Sequence, residues 1–136
     1  MPKRRKYKYH QDGTLPEKED NYILVFGSNL RGAHGRGLAV VAHNEYGAEY
    51  GIGIGITGRS YCIPTKDRFI RTLDLVDVKK YIDQFKVFTH EHPEMKFWVS
   101  GVGCGLAGYR ASQIAPMFIG CNTNCNYPHN WIPYLQ

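Results

Sequence analysis

Two glycine-rich segments, each directly after an apolar run, hold the residues best placed to do chemistry. Gly27-Ser28-Asn29 follows Tyr22-Ile23-Leu24-Val25-Phe26, and Gly103-Cys104-Gly105-Leu106-Ala107-Gly108-Tyr109 lies just beyond Phe97-Trp98-Val99. Glycine at such junctions lets backbone N–H groups approach an anion closely, and a nest of amides binds phosphate without a cationic side chain. Glycines at one junction serve a tight turn equally well; two junctions of this composition favour the clamping of one pyrophosphate-containing ligand. Individual residues keep a plainer reading beside the chemical one. Asn29 either caps a turn or contacts the ligand, and Lys66 is either a solvated loop charge or a site cation. His34, in Gly32-Ala33-His34-Gly35, reads more readily as a solvent-facing loop residue than as a base. Cys104 reads as a small packed residue rather than a reactive thiolate.

The elements that position these loops are legible from pattern. The apolar runs 22–26 and 97–99 are strands of the kind buried on both faces. Gly32, Gly35 and Gly37 open a helical pattern, Leu38, Val41, Ala42 and Tyr46, with Gly47 suited to the C-cap. Ser60-Tyr61-Cys62-Ile63-Pro64 reads as another strand, followed by the loop Thr65-Lys66-Asp67-Arg68. Asp74 is a good N-cap for a helix whose stripe is Val78, Ile82, Phe85 and Phe88, stopped by Pro93. A short helix is predicted over Ser112–Phe118, and residues 126–135 are expected to add an edge strand limited by Pro128 and Pro133. Strands alternating with helices imply an α/β architecture with helices on both faces of a largely parallel or mixed sheet. Ligands bind such sheets outside the carboxyl ends of the strands. Residues 21–136 are read as one domain and residues 1–20 as a flexible basic arm without apolar periodicity.

Charge and composition narrow the classes. The formal charge is +5 in 136 residues. Lys3, Arg4, Arg5, Lys6 and Lys8 account for all of it, so the remainder carries as many acidic as basic side chains. Nucleic-acid affinity is therefore expected only through that arm. No apolar stretch approaches the roughly 20 residues of a membrane span, and no apolar run follows the basic start, so a cytoplasmic protein is expected, in the host cytoplasm if phage-encoded. Cys62, Cys104, Cys121 and Cys125 are too scattered for a disulfide scaffold. Cys121 and Cys125 lack a second ligand pair at zinc spacing, so no metal is expected. The Gly51–Gly58 run leads into a strand and not into a helix, which fails the dinucleotide fingerprint, and no lysine-containing phosphate loop occurs. No cofactor is indicated.

Taken together, Val25-Phe26-Gly27-Ser28-Asn29-Leu30, Gly32-Ala33-His34-Gly35-Arg36-Gly37, Ser60-Tyr61-Cys62-Ile63-Pro64-Thr65-Lys66-Asp67 and Val102-Gly103-Cys104-Gly105-Leu106-Ala107-Gly108-Tyr109 resemble the macrodomains, in particular small bacterial and phage-encoded members. The likeness covers residues 22 to about 132. It implies a three-layer α/β/α fold with a central mixed sheet and a cleft for ADP-ribose or a related nucleotide. It further implies that Asn29 faces the distal ribose, that Gly35, Arg36 and Gly37 lie against the distal ribose and phosphate, and that Gly103–Tyr109 forms the second phosphate loop. Ser28, Gly32 and His34 fall within the first loop, and Asp20 is the candidate carboxylate for the adenine amino group. Thr65-Lys66 and Gly103-Cys104-Gly105-Leu106 are similar to the branch that removes terminal ADP-ribose from acidic side chains, in which the lysine attacks the anomeric carbon. That branch has an acid where this chain has Ala107, which leaves Asp67 or His34 to replace it.

Three readings follow. The first is an ADP-ribose-type binder that hydrolyses an ADP-ribosyl linkage through Lys66, with Asn29 and Asp67 assisting. The second is a non-catalytic module that sequesters such a nucleotide, as a phage would use against host signalling. The third is a nucleic-acid-associated or virion protein acting through the arm.

Overall fold

The computed structural model describes residues 7–135. Six strands, β1 (Lys8–His10), β2 (Tyr22–Asn29), β3 (Gly55–Thr57), β4 (Ser60–Lys66), β5 (Lys96–Val99) and β6 (Cys125–Pro128), form one sheet in the order β1-β6-β5-β2-β4-β3. Every neighbouring pair is parallel except β3 with β4. The helices are α1 (Leu38–Tyr46), α2 (Leu75–Glu91), α3 (Ala111–Ile114) and α4 (Ile132–Leu135).

Strand alternation divides the interior into two cores, one on each face. Leu24 and Phe26 of β2 and Cys62 of β4 pack with Ala39, Ala42 and Tyr46 of α1. Val25, Tyr61 and Ile63 point the other way, onto Val78, Ile82 and Phe85 of α2 and onward to Phe118, Tyr127 and Trp131. Helices on both faces of the sheet make a three-layer α/β/α arrangement. Gly47 closes α1 in the left-handed conformation, its N–H returning to the Ala42 carbonyl. Asp74 occupies the N-cap position of α2, yet its side chain makes no capping hydrogen bond. The α2 stripe is Val78, Ile82, Phe85 and Thr89, with Phe88 only half-buried at its edge.

Two expectations about the chain ends are corrected. Residues 125–128 do form a strand, but it lies inside the sheet between β1 and β5. The edge is β1, in a region expected to be an arm. Lys8, Tyr9 and His10 pair with Asn126, Tyr127 and Pro128, and Tyr7 meets Tyr127 edge-on with ring centroids 5.5 Å apart. His10 stacks on Trp98 at 3.9 Å, while the Trp98 indole N–H donates to the Thr14 carbonyl. A basic cluster and a three-residue strand that pairs only with distant sequence leave no periodicity to read. Of the cations assigned to nucleic acid, Lys8 stands in β1, and Lys3, Arg4, Arg5 and Lys6 lie outside the described residues. No helix among the described residues is long and apolar enough to cross a membrane.

Deleting residues 1–10 should therefore uncover Tyr127 and make β6 an edge. The melting temperature is expected to fall by at least about 5 °C; an unchanged value would make these residues an appendage.

Candidate functional site

Strands β2, β4 and β5 are parallel and end on the same edge of the sheet. The chain leaves β2 through α1 toward β4 and leaves β5 through α3 toward β6, so the two exits diverge. Diverging connections open a crevice at the strand ends, and a cleft of about 460 Å³ lies there.

The first wall is the loop from β2 to α1. Asn29 lines the cleft, but its side-chain amide closes its own loop: Nδ2 donates to the Ala33 carbonyl at 2.9 Å, and Oδ1 accepts from the Ala33 N–H at 3.0 Å. Ser28 is buried beneath, its hydroxyl donating to the Gly53 carbonyl at 2.5 Å. The loop is set against the Gly51–Gly53 backbone so closely that a Cβ on Gly53 would lie 2.0 Å from the Asn29 oxygen. A Cβ on Gly32 would lie 2.3 Å from the Gly51 carbonyl carbon. The glycine run that mimics a dinucleotide fingerprint is thus the buttress of the site. The loop ends at Gly37, the N-cap of α1, which offers no capping side chain. The first N–H groups of α1, at Leu38 and Ala39, thus carry no side-chain cap at the positive end of the helix dipole, and both residues line the cleft.

The second wall follows β4. Ser28 pairs with Pro64 and Asn29 with Lys66, so Thr65 is the extra residue of a bulge. A bulge re-aims the side chains beyond it, and this one sets the half-buried Lys66 opposite Asn29 in the cleft lining. The following turn is organised by Asp67. Its carboxylate accepts from the N–H groups of Phe69 and Arg71 at 2.8 and 3.0 Å and from the Arg71 Nε at 3.1 Å. These hydrogen bonds and the guanidinium hold its pKa below the ordinary 3.8.

The third wall follows β5. A Cβ on Gly27 would stand 3.4 Å from the Gly103 nitrogen, so the β2 and β5 exits lie within van der Waals reach of each other. Gly103 has φ 74°, and the Tyr109 N–H returns to its carbonyl at 2.8 Å. Among the described residues, the N–H groups of Gly105, Leu106 and Ala107 find no acceptor within the chain. Two side chains tie this loop to the second wall: the Thr72 hydroxyl donates to the Ala107 carbonyl at 3.2 Å, and the Tyr109 hydroxyl to the Leu73 carbonyl at 2.5 Å.

Of the residues expected from sequence, Ser28, Asn29, Gly35, Arg36, Gly37, Lys66, Gly103, Gly105, Leu106 and Ala107 line one cleft. The others stand elsewhere. Asp20 precedes β2 and lines a different depression, with Glu19, Glu94 and Lys96. The eight-residue strand puts it about 25 Å from Asn29 at the usual rise. His34 is buried and not solvent-facing; its Nε2–H donates to the Glu49 carbonyl at 2.8 Å. Gly32, Gly108 and Tyr109 shape the walls without lining them, and Asp67 is spent on its own turn. Cys104 points its thiol at the Val102 carbonyl, and burial pushes its pKa up to about 11, which removes it as a nucleophile at neutral pH.

Thr65, Ile70 and Ser100 also line the cleft, as do Gly27, Ala33 and Gly101. The strand pattern ending at Pro64 hid the bulge that presents Thr65, and only a left-handed backbone marks Ile70. Among the described residues, Arg36 and Lys66 are the only charged side chains lining the cleft, and no carboxylate or imidazole lines it. Such a surface selects anions and holds no general acid. Among the described residues no group of three or more His, Cys, Asp or Glu side chains could hold a metal ion.

No family model matches the chain, and no curated protein matches it. Among solved structures the chain is similar to Thermosipho africanus DarTG in complex with ADP-ribose, at 16% identity over 81% of this chain, with a TM-score of 0.51. The chain spans 39% of that protein. The match shows the fold: a three-layer α/β/α, macrodomain-like fold with a central mixed sheet.

The depressed Asp67 pKa carries a sign. A carboxyl whose folded pKa is lowered contributes stability that is present above its ordinary value, here 3.8, and lost as pH falls through the folded value. Wild type should lose more stability than Asp67→Asn between pH 5 and about pH 2 in urea titrations; equal losses would show that the turn does not depend on the charge.

Proposed function

We propose that the cleft binds ADP-ribose or a closely related nucleotide containing a diphosphate. The observation that carries this reading is a cleft with two cationic side chains and no carboxylate, bordered by two sets of unpartnered backbone N–H groups, at the start of α1 and at Gly105–Ala107. Those groups recognise anionic oxygens, and two sets at one crevice suit two adjacent phosphates. The bound ADP-ribose of the structural neighbour supports the same ligand. Calorimetric titration with ADP-ribose is expected to saturate at one site per chain. Lys66→Ala and Arg36→Ala should each weaken binding about tenfold or more, the loss of a charge-assisted hydrogen bond being worth about 1.5–3 kcal/mol. No heat with ADP-ribose, ADP or NAD would remove the proposal.

A second reading, turnover, is favoured by the bulge that sets Lys66 opposite Asn29 in the cleft. In this reading the unprotonated amine attacks the anomeric carbon. The bond from that carbon to the carrier oxygen breaks with its electron pair leaving on the oxygen, the amine loses its proton to water, and water then releases the sugar from the lysine. With no acid in the cleft to protonate the leaving group, the carrier oxygen must leave as a stable anion, as the carboxylate of an ester does. The test is incubation with a peptide bearing ADP-ribose on a glutamate. Release of ADP-ribose by wild type and none by Lys66→Ala supports turnover; intact conjugate after prolonged incubation leaves a binding module.

A further inference from the structure

Ile70 has φ 64°, a left-handed conformation that is an outlier for a β-branched residue. The fold does not repay it by burial. Ile70 is 39% exposed and packs in neither hydrophobic core. What holds it is the turn around it. The Ile70 N–H donates to the Asp67 carbonyl at 3.1 Å, the Asp67 N–H donates to the Arg71 carbonyl at 2.7 Å, and the Asp67 carboxylate grips both residues that flank Ile70 in sequence. Lys66 and Thr72 pair across the base of the same turn, and Thr72 anchors it to Ala107 on the opposite loop. The effect of this arrangement is that Ile70, two residues before the Thr72 that bridges to Lys66, lines the cleft together with Lys66.

Strained backbone that neighbouring hydrogen bonds impose, and that no core packing requires, marks a position kept for what it contacts. We propose that Ile70 is a specificity-determining contact of the cleft: its side chain packs on the sugar beyond the diphosphate, distinguishing ligands that carry this sugar from those that end at the phosphates. The inference rests on the nucleotide reading of the cleft. Its chemistry is that of an apolar side chain against the C–H face of a ribose, with the walls of amides and cations left to hold the phosphates.

The test compares ADP-ribose with ADP on wild type, Ile70→Gly and Ile70→Asn, with the melting temperature of each. Glycine and asparagine both accept a left-handed backbone, so either substitution removes the side chain without disturbing the turn. The expected result is an unchanged or higher melting temperature, unchanged ADP affinity, and a loss of about tenfold in ADP-ribose affinity, the size of effect a small apolar contact gives. An ADP-ribose to ADP preference the same in wild type and both variants overturns the inference, as does a wild type with no such preference. So does a fall in melting temperature in both variants, which would make Ile70 a structural residue. Failure of wild type to bind either nucleotide is a different outcome: it overturns the nucleotide reading itself, and the Ile70 inference with it.

Discussion

The closeness with which the β2–α1 loop lies on the Gly51–Gly53 backbone sets the shape of everything at the carboxyl end of the sheet. The Asn29 carbonyl occupies space that any Cβ on Gly53 would need, and Gly32 meets Gly51 as tightly. Main chain against main chain, with the Ser28 hydroxyl pinned to Gly53 and the Asn29 amide closing onto Ala33, fixes the loop without a large side chain. Only a loop so fixed can aim the open end of α1 at the crevice. The β4 bulge and the Asp67 turn give the opposite wall the same quality, and Thr72 and Tyr109 lock it to the third.

The cleft is built to present donors rather than charge. Its surface is mostly glycine, alanine and aliphatic carbon, with Arg36 and Lys66 as its charged side chains. Amides fixed by the fold lose no side-chain entropy on binding and need no rearrangement to meet phosphate oxygens. The balance of the domain's charges beyond the N-terminal cluster is consistent with this division. The charges that line the cleft are local to it, on Arg36 and Lys66.

The layers, α1, α2, β2, β4 and β5 were legible because each rests on a pattern within its own residues: apolar runs for the buried strands, a period near 3.6 for α2, a glycine C-cap for α1. The two glycine loops were legible as cleft walls because they follow buried strands, and residues of both line the cleft. What escaped depends on distant partners. β1 exists by pairing with β6, more than a hundred residues away. His34 lies between small flexible residues, and only the fold brings Glu49 to its ring. Asp67 is adjacent to Lys66 in sequence, which suggests a shared task, but the turn points its carboxylate back at Phe69 and Arg71. Asp20 is close to β2 in sequence and at the wrong end of it. Ile70 gives no sign in the sequence, since nothing about isoleucine announces a left-handed backbone.

The central claim is that backbone amides on two loops hold the ligand's phosphates. Amide-resolved NMR during titration with ADP-ribose tests it directly. The account predicts saturable shifts of the N–H signals of Leu38, Ala39, Gly105, Leu106 and Ala107, with the signals of Asp20 and Glu94 unmoved. Saturable shifts centred on Asp20 and Glu94, or binding that leaves those five amides unchanged, would contradict it.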